Sequence, residues 1–175
     1  MKQTAIVAFA VLSLFSCKED ASTKTGNDSI PAKLEYAYTI QNPDNWERGD
    51  LKHVQTVMAA LKAYETGDIA ASVKNFGDSV ELKFDGYEAK LSNDSLKAFF
   101  AQGRSSSASI TIKMDDWESV ISKDGKTEYV SLWYKEIRTD MKGKTDSVET
   151  MDDVRIEKGK IVSLNQKIRQ YAVKK

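Results

Sequence analysis

The stretch from Glu128 to Ile156 decides the fold and reads EYVSLWYKEIRTDMKGKTDSVETMDDVRI. Apolar side chains recur at alternate positions on both sides of its centre, a pattern typical of two β-strands that each bury one face. At the centre, Lys142-Gly143-Lys144 suits a type I turn followed by a glycine in the left-handed region. The stretch therefore predicts an antiparallel strand pair in which Asp140 lies opposite Lys144.

The same turn signal occurs twice more, as DGK at residues 124–126 and as KGK at residues 158–160. The pairs expected across these turns are Ser122 with Lys126 and Ile156 with Lys160. Together the three registers place the even-numbered residues of four strands on one face, and that face holds most of the aliphatic side chains. The sequence thus predicts a four-stranded antiparallel meander.

Upstream of the meander, the pattern changes to helices and one short hairpin. Asp50 is expected to cap an amphipathic helix that Gly67 ends, and Asp68 begins a shorter helix. Asp85-Gly86 is a two-residue hairpin signal between two alternating strands, and a third helix follows it. The prediction is an α+β domain over residues 34–175.

The N-terminal residues have the pattern of an export signal. Residues 1–16 contain Lys2 and an apolar run that is shorter than the roughly 20 residues needed to span a bilayer. The sequence Leu14-Phe15-Ser16-Cys17 resembles the bacterial lipobox. This resemblance implies cleavage before Cys17 and lipidation of its sulfur. The alternative is a plain secretory signal that ends by chance at the single cysteine.

Residues 17–33 are predicted to be the lipidated cysteine and a flexible tether, because they are polar and contain no aromatic residue. Lys18-Glu19-Asp20 resembles the signal that sends lipoproteins to the outer cell surface in some Gram-negative bacteria. It is alternatively just the polar start of the tether. We therefore expect an outer-membrane lipoprotein exposed at the cell surface, with the membrane as its partner through the lipid anchor.

Composition excludes several kinds of function. The chain has 26 basic and 26 acidic residues, so it lacks the basic excess that a nucleic-acid partner requires. It contains one cysteine, Cys17, and one histidine, His53, which argues against thiolate or histidine-rich metal sites. We expect neither a metal nor another cofactor.

The order of helix, helix, hairpin, helix and four long strands is similar to that of the nuclear transport factor 2-like superfamily, also called SnoaL-like. The segment from Asp50 through Tyr64-Glu65-Thr66-Gly67-Asp68 to Leu82 is similar to its opening. The resemblance implies that the three N-terminal helices pack on a curved antiparallel sheet, made of the hairpin and the meander, and form a cone with a pocket at its open end. It also implies frequent dimerisation through the outer face of the sheet. The superfamily includes isomerases, cyclases, hydrolases and members without chemistry, so the resemblance fixes no activity.

The candidate pocket consists of polar residues on the aliphatic face of the sheet. Asp152 is expected to lie among aliphatic side chains, with Gln166 and Tyr134 as diagonal neighbours and Asp116 in the same row. His53 lies at the edge of the apolar face of the first helix. Burial raises the pKa of a carboxyl group, which suits a general acid or base. Alternatively, Asp152 is satisfied by hydrogen bonds and only stabilises the fold, and His53 is a half-exposed structural residue.

The opposite face of the sheet carries an apolar patch of Trp117, Trp133 and Met151 among charged and polar residues. Such a patch favours an interface, here a homodimer. The alternative is that the chain before the first helix covers the patch.

These observations favour a surface-anchored, non-catalytic domain that binds a small molecule with apolar and polar parts. One alternative is an isomerase, cyclase or hydrolase that uses Asp152 with Tyr134 or His53. Another is an interaction module whose cone is filled with side chains.

Overall fold

The structure is a computed structural model that describes residues 36–40 and 45–170. These two ranges belong to separate compact units, and residues 36–40 form a bend with exposed side chains. The predicted signal peptide, Cys17 and the tether lie outside the described residues. In the described part of the chain, no helix is both long enough and apolar enough to cross a bilayer.

Three helices form where the sequence supplies caps. They are α1 (Leu51–Thr66), α2 (Ile69–Val73) and α3 (Asn93–Ser105). The Asp50 carboxylate accepts a hydrogen bond from the amide of Lys52 at 2.8 Å, which satisfies one of the free donors at the start of α1. Gly67 ends α1 with a φ of 88°, a left-handed conformation that favours glycine. Both predicted ends of this helix are confirmed.

Seven strands form one mixed sheet. They are β1 (Trp46–Arg48), β2 (Phe76–Phe84), β3 (Tyr87–Ser92), β4 (Ser107–Ser122), β5 (Glu128–Asp140), β6 (Thr145–Glu157) and β7 (Lys160–Gln170). Their order across the sheet is β1-β4-β5-β6-β7-β2-β3. The α+β class is confirmed, but the purely antiparallel sheet is wrong, because β2 pairs with β7 in parallel. The sequence also gave no indication of β1, a three-residue strand.

The central turn has the predicted register. The amide of Asp140 donates to the carbonyl of Lys144 at 2.9 Å, and Leu132 lies opposite Asp152. The first turn is one residue longer than predicted, because the amide of Ser122 donates to the carbonyl of Thr127.

The last turn is one residue shorter than predicted. Glu157 pairs with Lys160, and only Lys158 and Gly159 lie between them, both with positive φ. Farther along β7, an irregularity between the Arg155 and Ile156 pairings shifts the register again. As a result, Asp152 lies directly opposite Gln166 instead of diagonally to it.

A bulge in β4 changes which side chains share a face. Met114 pairs with Tyr134, as predicted, but Asp116 pairs with Trp133. The extra residue reverses the alternation, so Asp116 lies on the outer face and Trp117 shares the face of Leu132.

The core lies between the helices and the inner face of the sheet. The apolar side chains with essentially no exposure come from α3 and from four strands of the sheet, and include Val80, Leu82, Leu96, Val130 and Leu132. Burial of such side chains contributes about 1.5–3 kcal/mol each before the entropy of ordering is subtracted. This core holds α1 and α3 against the sheet.

Two contacts position α1 along β4. The backbone of Gly49 lies so close to the sheet that a Cβ there would be 2.3 Å from the Ser119 Oγ. At the other end of α1, the Glu65 carboxylate accepts a hydrogen bond from the backbone amide of Ile112 in β4 at 3.2 Å. The helix is therefore fixed to the sheet near both of its ends.

Candidate functional site

A cavity of about 260 Å³ lies between the three helices and the inner face of the sheet. This volume is near the lower end of the range of roughly 300–1,000 Å³ that is usual for small-molecule sites. Six aromatic side chains contribute to its wall: Tyr64, Phe76, Phe84, Phe99 and Phe100 from α1, β2 and α3, and Tyr134 from β5. The cavity thus offers an apolar, largely aromatic surface to a ligand.

A cluster of three polar side chains, two of them buried and Gln166 partly buried, forms one part of the wall. The Tyr134 hydroxyl donates to Asp152 Oδ2 at 2.9 Å. The Gln166 amide nitrogen donates to Asp152 Oδ1 at 3.1 Å and to the Tyr134 oxygen at 3.2 Å. Asp152 is 4% exposed and Tyr134 is 1% exposed, so the cluster lies inside the protein.

The environment of Asp152 changes its acidity. Burial raises the pKa of this carboxyl group from about 3.8 to about 6, although the hydrogen bonds from Tyr134 and Gln166 oppose the rise. Burial and the neighbouring Asp152 charge raise the pKa of Tyr134 well above its usual value. At neutral pH, Asp152 is therefore mostly ionised but gains a proton readily on mild acidification.

A second polar pair lines the cavity farther along β5. Arg138 donates through Nε and Nη2 to Glu136 Oε1, at 3.0 and 2.7 Å. The Arg138 side chain is 42% exposed, whereas that of Glu136 is 12% exposed. This part of the wall therefore approaches solvent, in contrast to the Asp152 cluster.

Three aromatic rings stack near the tip of the β2–β3 hairpin. Phe84 and Phe99 are nearly parallel, with ring centroids 5.9 Å apart, and Tyr87 stacks on Phe99 at 5.3 Å. Tyr87 is partly exposed, whereas Phe84 and Phe99 line the cavity. The stack connects the surface of the protein to the cavity wall.

Comparison with solved structures identifies the fold. AusH from Aspergillus nidulans superposes with a TM-score of 0.56 at 15% identity, covering 70% of this chain and 87% of that one. An NTF2-like protein of unknown function from Burkholderia pseudomallei superposes with a TM-score of 0.55 at 16% identity, covering 67% and 90%. A second such protein, from Cytophaga hutchinsonii, gives 0.50 at 15% identity, covering 67% and 89%.

The chain has the nuclear transport factor 2-like fold. At these identities the likeness concerns the fold alone. No protein-family model matches the sequence, and no curated protein does. The chemistry of the site must therefore be argued from its own residues.

Two predicted pocket residues lie elsewhere in this NTF2-like fold. The β4 bulge places Asp116 on the outer face, where it is exposed and accepts a hydrogen bond from the amide of Trp117 at 2.8 Å. His53 is not among the side chains that line the cavity. Its Nδ1 lies 2.6 Å from Glu128 Oε1, which also accepts from the amide of Asp50. His53 therefore fastens the start of α1 to β5.

The outer face is only partly as expected. Trp133 lies opposite Met151, as predicted, but Trp117 is not beside them because of the bulge. Trp46 in β1 packs edge-on against Tyr129, with ring centroids 5.9 Å apart. The predicted patch of three residues is thus reduced to Trp133 and Met151.

Sequence reasoning missed Glu136 and Arg138 as cavity residues. Both lie at even-numbered positions of β5, like Tyr134, so the alternation already assigned them to the inner face. The aromatic wall was harder to find, since most of its residues come from α1, α3 and β2 and meet only in three dimensions. Among the described residues, no group of three acidic, histidine or cysteine side chains is arranged to hold a metal ion.

Proposed function

We propose that this domain binds a small, largely apolar molecule that carries one polar group, and that a lipid on Cys17 holds it at a membrane. The observation that supports the binding function best is the aromatic-walled cavity with the Asp152 cluster inside it. The cavity also argues against the interaction module with a filled interior, because that alternative leaves no space for a ligand.

The binding function is tested by filling the cavity. Ala60 is buried on α1 and lines the cavity, whereas its neighbour Ala59 is exposed. We expect Ala60→Leu to abolish the chemical-shift changes that xenon and 2-phenylethanol cause in cavity residues, and Ala59→Leu to leave them intact. The melting temperature of each variant shows whether it is folded. If neither probe perturbs the cavity residues of the wild-type protein, the proposal is wrong.

Acid–base catalysis is a second candidate function, and the position of Asp152 beside Tyr134 favours it. A carboxyl group whose pKa is about 6 is well suited to proton transfer near neutral pH. The test is solvent-deuterium exchange at the carbon between the ring and the carbonyl of phenylacetone, followed by NMR. Catalysis requires that the wild-type protein accelerates exchange and that Asp152→Asn does not.

The lipid anchor has its own test. Cys17→Ala is expected to move the protein from the membrane fraction to the soluble fraction of cells that express the full chain. Cys17→Ser is the matched control for side-chain size and gives the same result if lipidation is responsible. Retention of either variant in the membrane fraction contradicts the anchor.

A further inference from the structure

The hydrogen-bond donors of the Asp152 cluster are all used within the cluster. The Tyr134 hydroxyl has one hydrogen, which it donates to Asp152. The Gln166 amide has two, and its nitrogen donates to Asp152 and to Tyr134. The carboxylate retains lone pairs that can accept further hydrogen bonds. A ligand group that reaches the cluster must therefore be a donor, which selects an amine or a hydroxyl over a carbonyl, ether or carboxylate.

The charges of the cavity wall favour a cation. Among the described residues, the acidic and basic side chains that line the cavity are Asp152, Glu136 and Arg138. Arg138 and Glu136 pair with each other, so their charges compensate. Asp152 is 4% exposed and has only neutral hydrogen-bond partners. A buried carboxylate without a counter-charge is costly, and a bound cation would remove that cost.

The aromatic wall favours the same class of ligand. The face of a phenylalanine or tyrosine ring attracts a positive charge that lies over it, and the attraction is stronger where the charge is desolvated. Six such side chains line a cavity of about 260 Å³. They also provide the apolar contacts that the hydrocarbon part of a ligand needs.

We propose that the ligand of this cavity is a small hydrophobic amine whose ammonium group binds the Asp152 carboxylate. The proposal rests on the proposed binding function and adds the chemical class of the ligand. A neutral donor satisfies the hydrogen bonds of the cluster but leaves the charge of Asp152 uncompensated. An anion is excluded from the cluster, since it can neither donate a hydrogen bond nor lie beside a second negative charge.

Three probes of similar size separate the alternatives: 2-phenylethylamine, 2-phenylethanol and 3-phenylpropionate. At pH 7.5 we expect the amine to bind at least tenfold more tightly than the alcohol and the anion to bind most weakly, measured by NMR titration of the lipid-free protein. In Asp152→Asn the preference of amine over alcohol disappears. Asp153→Asn is the matched control, because Asp153 lies next in the chain on the outer face of β6 and binds Ser131.

A second readout does not depend on a variant. Binding of a cation stabilises the ionised form of Asp152, so the amine lowers the pKa of this carboxyl group from about 6 by more than the alcohol does, since the alcohol donates a hydrogen bond but brings no charge. Equal affinities for the amine and the alcohol, or tighter binding of the anion, overturn the amine proposal. Either result leaves the proposed binding function in place. Failure of all three probes and of xenon to reach the cavity contradicts both.

Discussion

At the scale of single residues, Asp152 determines how the stability of the domain depends on pH. Its folded-state pKa of about 6 lies above the value near 3.8 expected for an exposed carboxyl group. The folded state therefore holds this proton more tightly than the unfolded state does. The contribution of this proton to the free energy of unfolding is fully present below about pH 3.8. It is lost as the pH rises through the folded-state pKa of about 6, and it is absent at higher pH.

Replacing Asp152 by Asn removes this dependence. Relative to the wild-type protein, Asp152→Asn is expected to gain about 2 kcal/mol in free energy of unfolding between pH 4 and pH 7, from roughly 1.4 kcal/mol per unit of pKa difference. Urea unfolding at the two pH values measures it, and groups unaffected by the substitution cancel in the comparison. A variant that becomes relatively less stable at pH 7 contradicts the prediction.

Tyr134 contributes the hydrogen bond that most strongly opposes the rise in the pKa of Asp152. Tyr134→Phe removes that hydrogen bond, so the pKa of Asp152 is expected to rise above about 6. Carbon-13 NMR of the carboxyl group measures the change. Tyr129→Phe is the control, because Tyr129 lies on the same strand but on the opposite face. An unchanged or lowered pKa of Asp152 in Tyr134→Phe means that the Tyr134 hydroxyl does not stabilise the ionised carboxylate.

At the scale of elements, close approach explains why a glycine joins β1 to α1. A Cβ on Gly49 would lie 2.3 Å from the Ser119 Oγ and 3.1 Å from the backbone nitrogen of Val120. Gly49→Ala is therefore expected to lower the free energy of unfolding by about 1–3 kcal/mol, a typical cost of overpacking. Thermal or urea unfolding measures it.

A double substitution separates the two contacts. Ser119→Ala removes the hydroxyl but leaves the backbone of Val120 in place, so adding it to Gly49→Ala should recover part of the lost stability and not all of it. If the two substitutions are strictly additive, the contact between Gly49 and Ser119 is not the cause.

The ends of α1 were easier to predict than the alignment of the strands. Asp50 and Gly67 each impose a local geometry, and α1 begins and ends where they predict. The Gly143 turn also fixed the alignment of β5 with β6. The two other glycine turns differ from the prediction in opposite directions. In the first, the Ser122 side chain binds Asp124 and the turn contains four residues. In the last, Gly159 is part of a turn of only two residues.

The bulge near Asp115 shows what sequence pattern cannot supply. It compensates for the longer turn, so Met114 still reaches its predicted partner while Asp116 and Trp117 exchange faces. Nothing in the run Lys113-Met114-Asp115-Asp116 favours a bulge at one residue over its neighbours, since all are tolerated on an exposed strand. The Asp152–Tyr134–Gln166 cluster was predictable because it lies on β5, β6 and β7, beyond this irregularity.

At the scale of the whole molecule, the predicted dimer would form through the outer face of the sheet. Trp133 and Met151 lie opposite each other there. If this face joins two copies, Trp133→Asp is expected to halve the mass measured by sedimentation equilibrium. Leu51→Asp introduces the same charge at an exposed apolar position on α1 and should not change the mass. If the wild-type protein and both variants have the same mass, the prediction that a dimer forms through this face is wrong.

The contact between Glu65 and Ile112 has a consequence for aggregation. Among the described residues, β1 pairs with β4 only from Val120 to Ser122, so the rest of β4 is an edge of the sheet with no neighbouring strand. Such an exposed edge can pair with a strand of another molecule and begin a fibril. With the Glu65 carboxylate already bound to the Ile112 amide, an incoming backbone must first displace a negatively charged acceptor. One side chain of the helix thus occupies one of the backbone donors that an added strand would need.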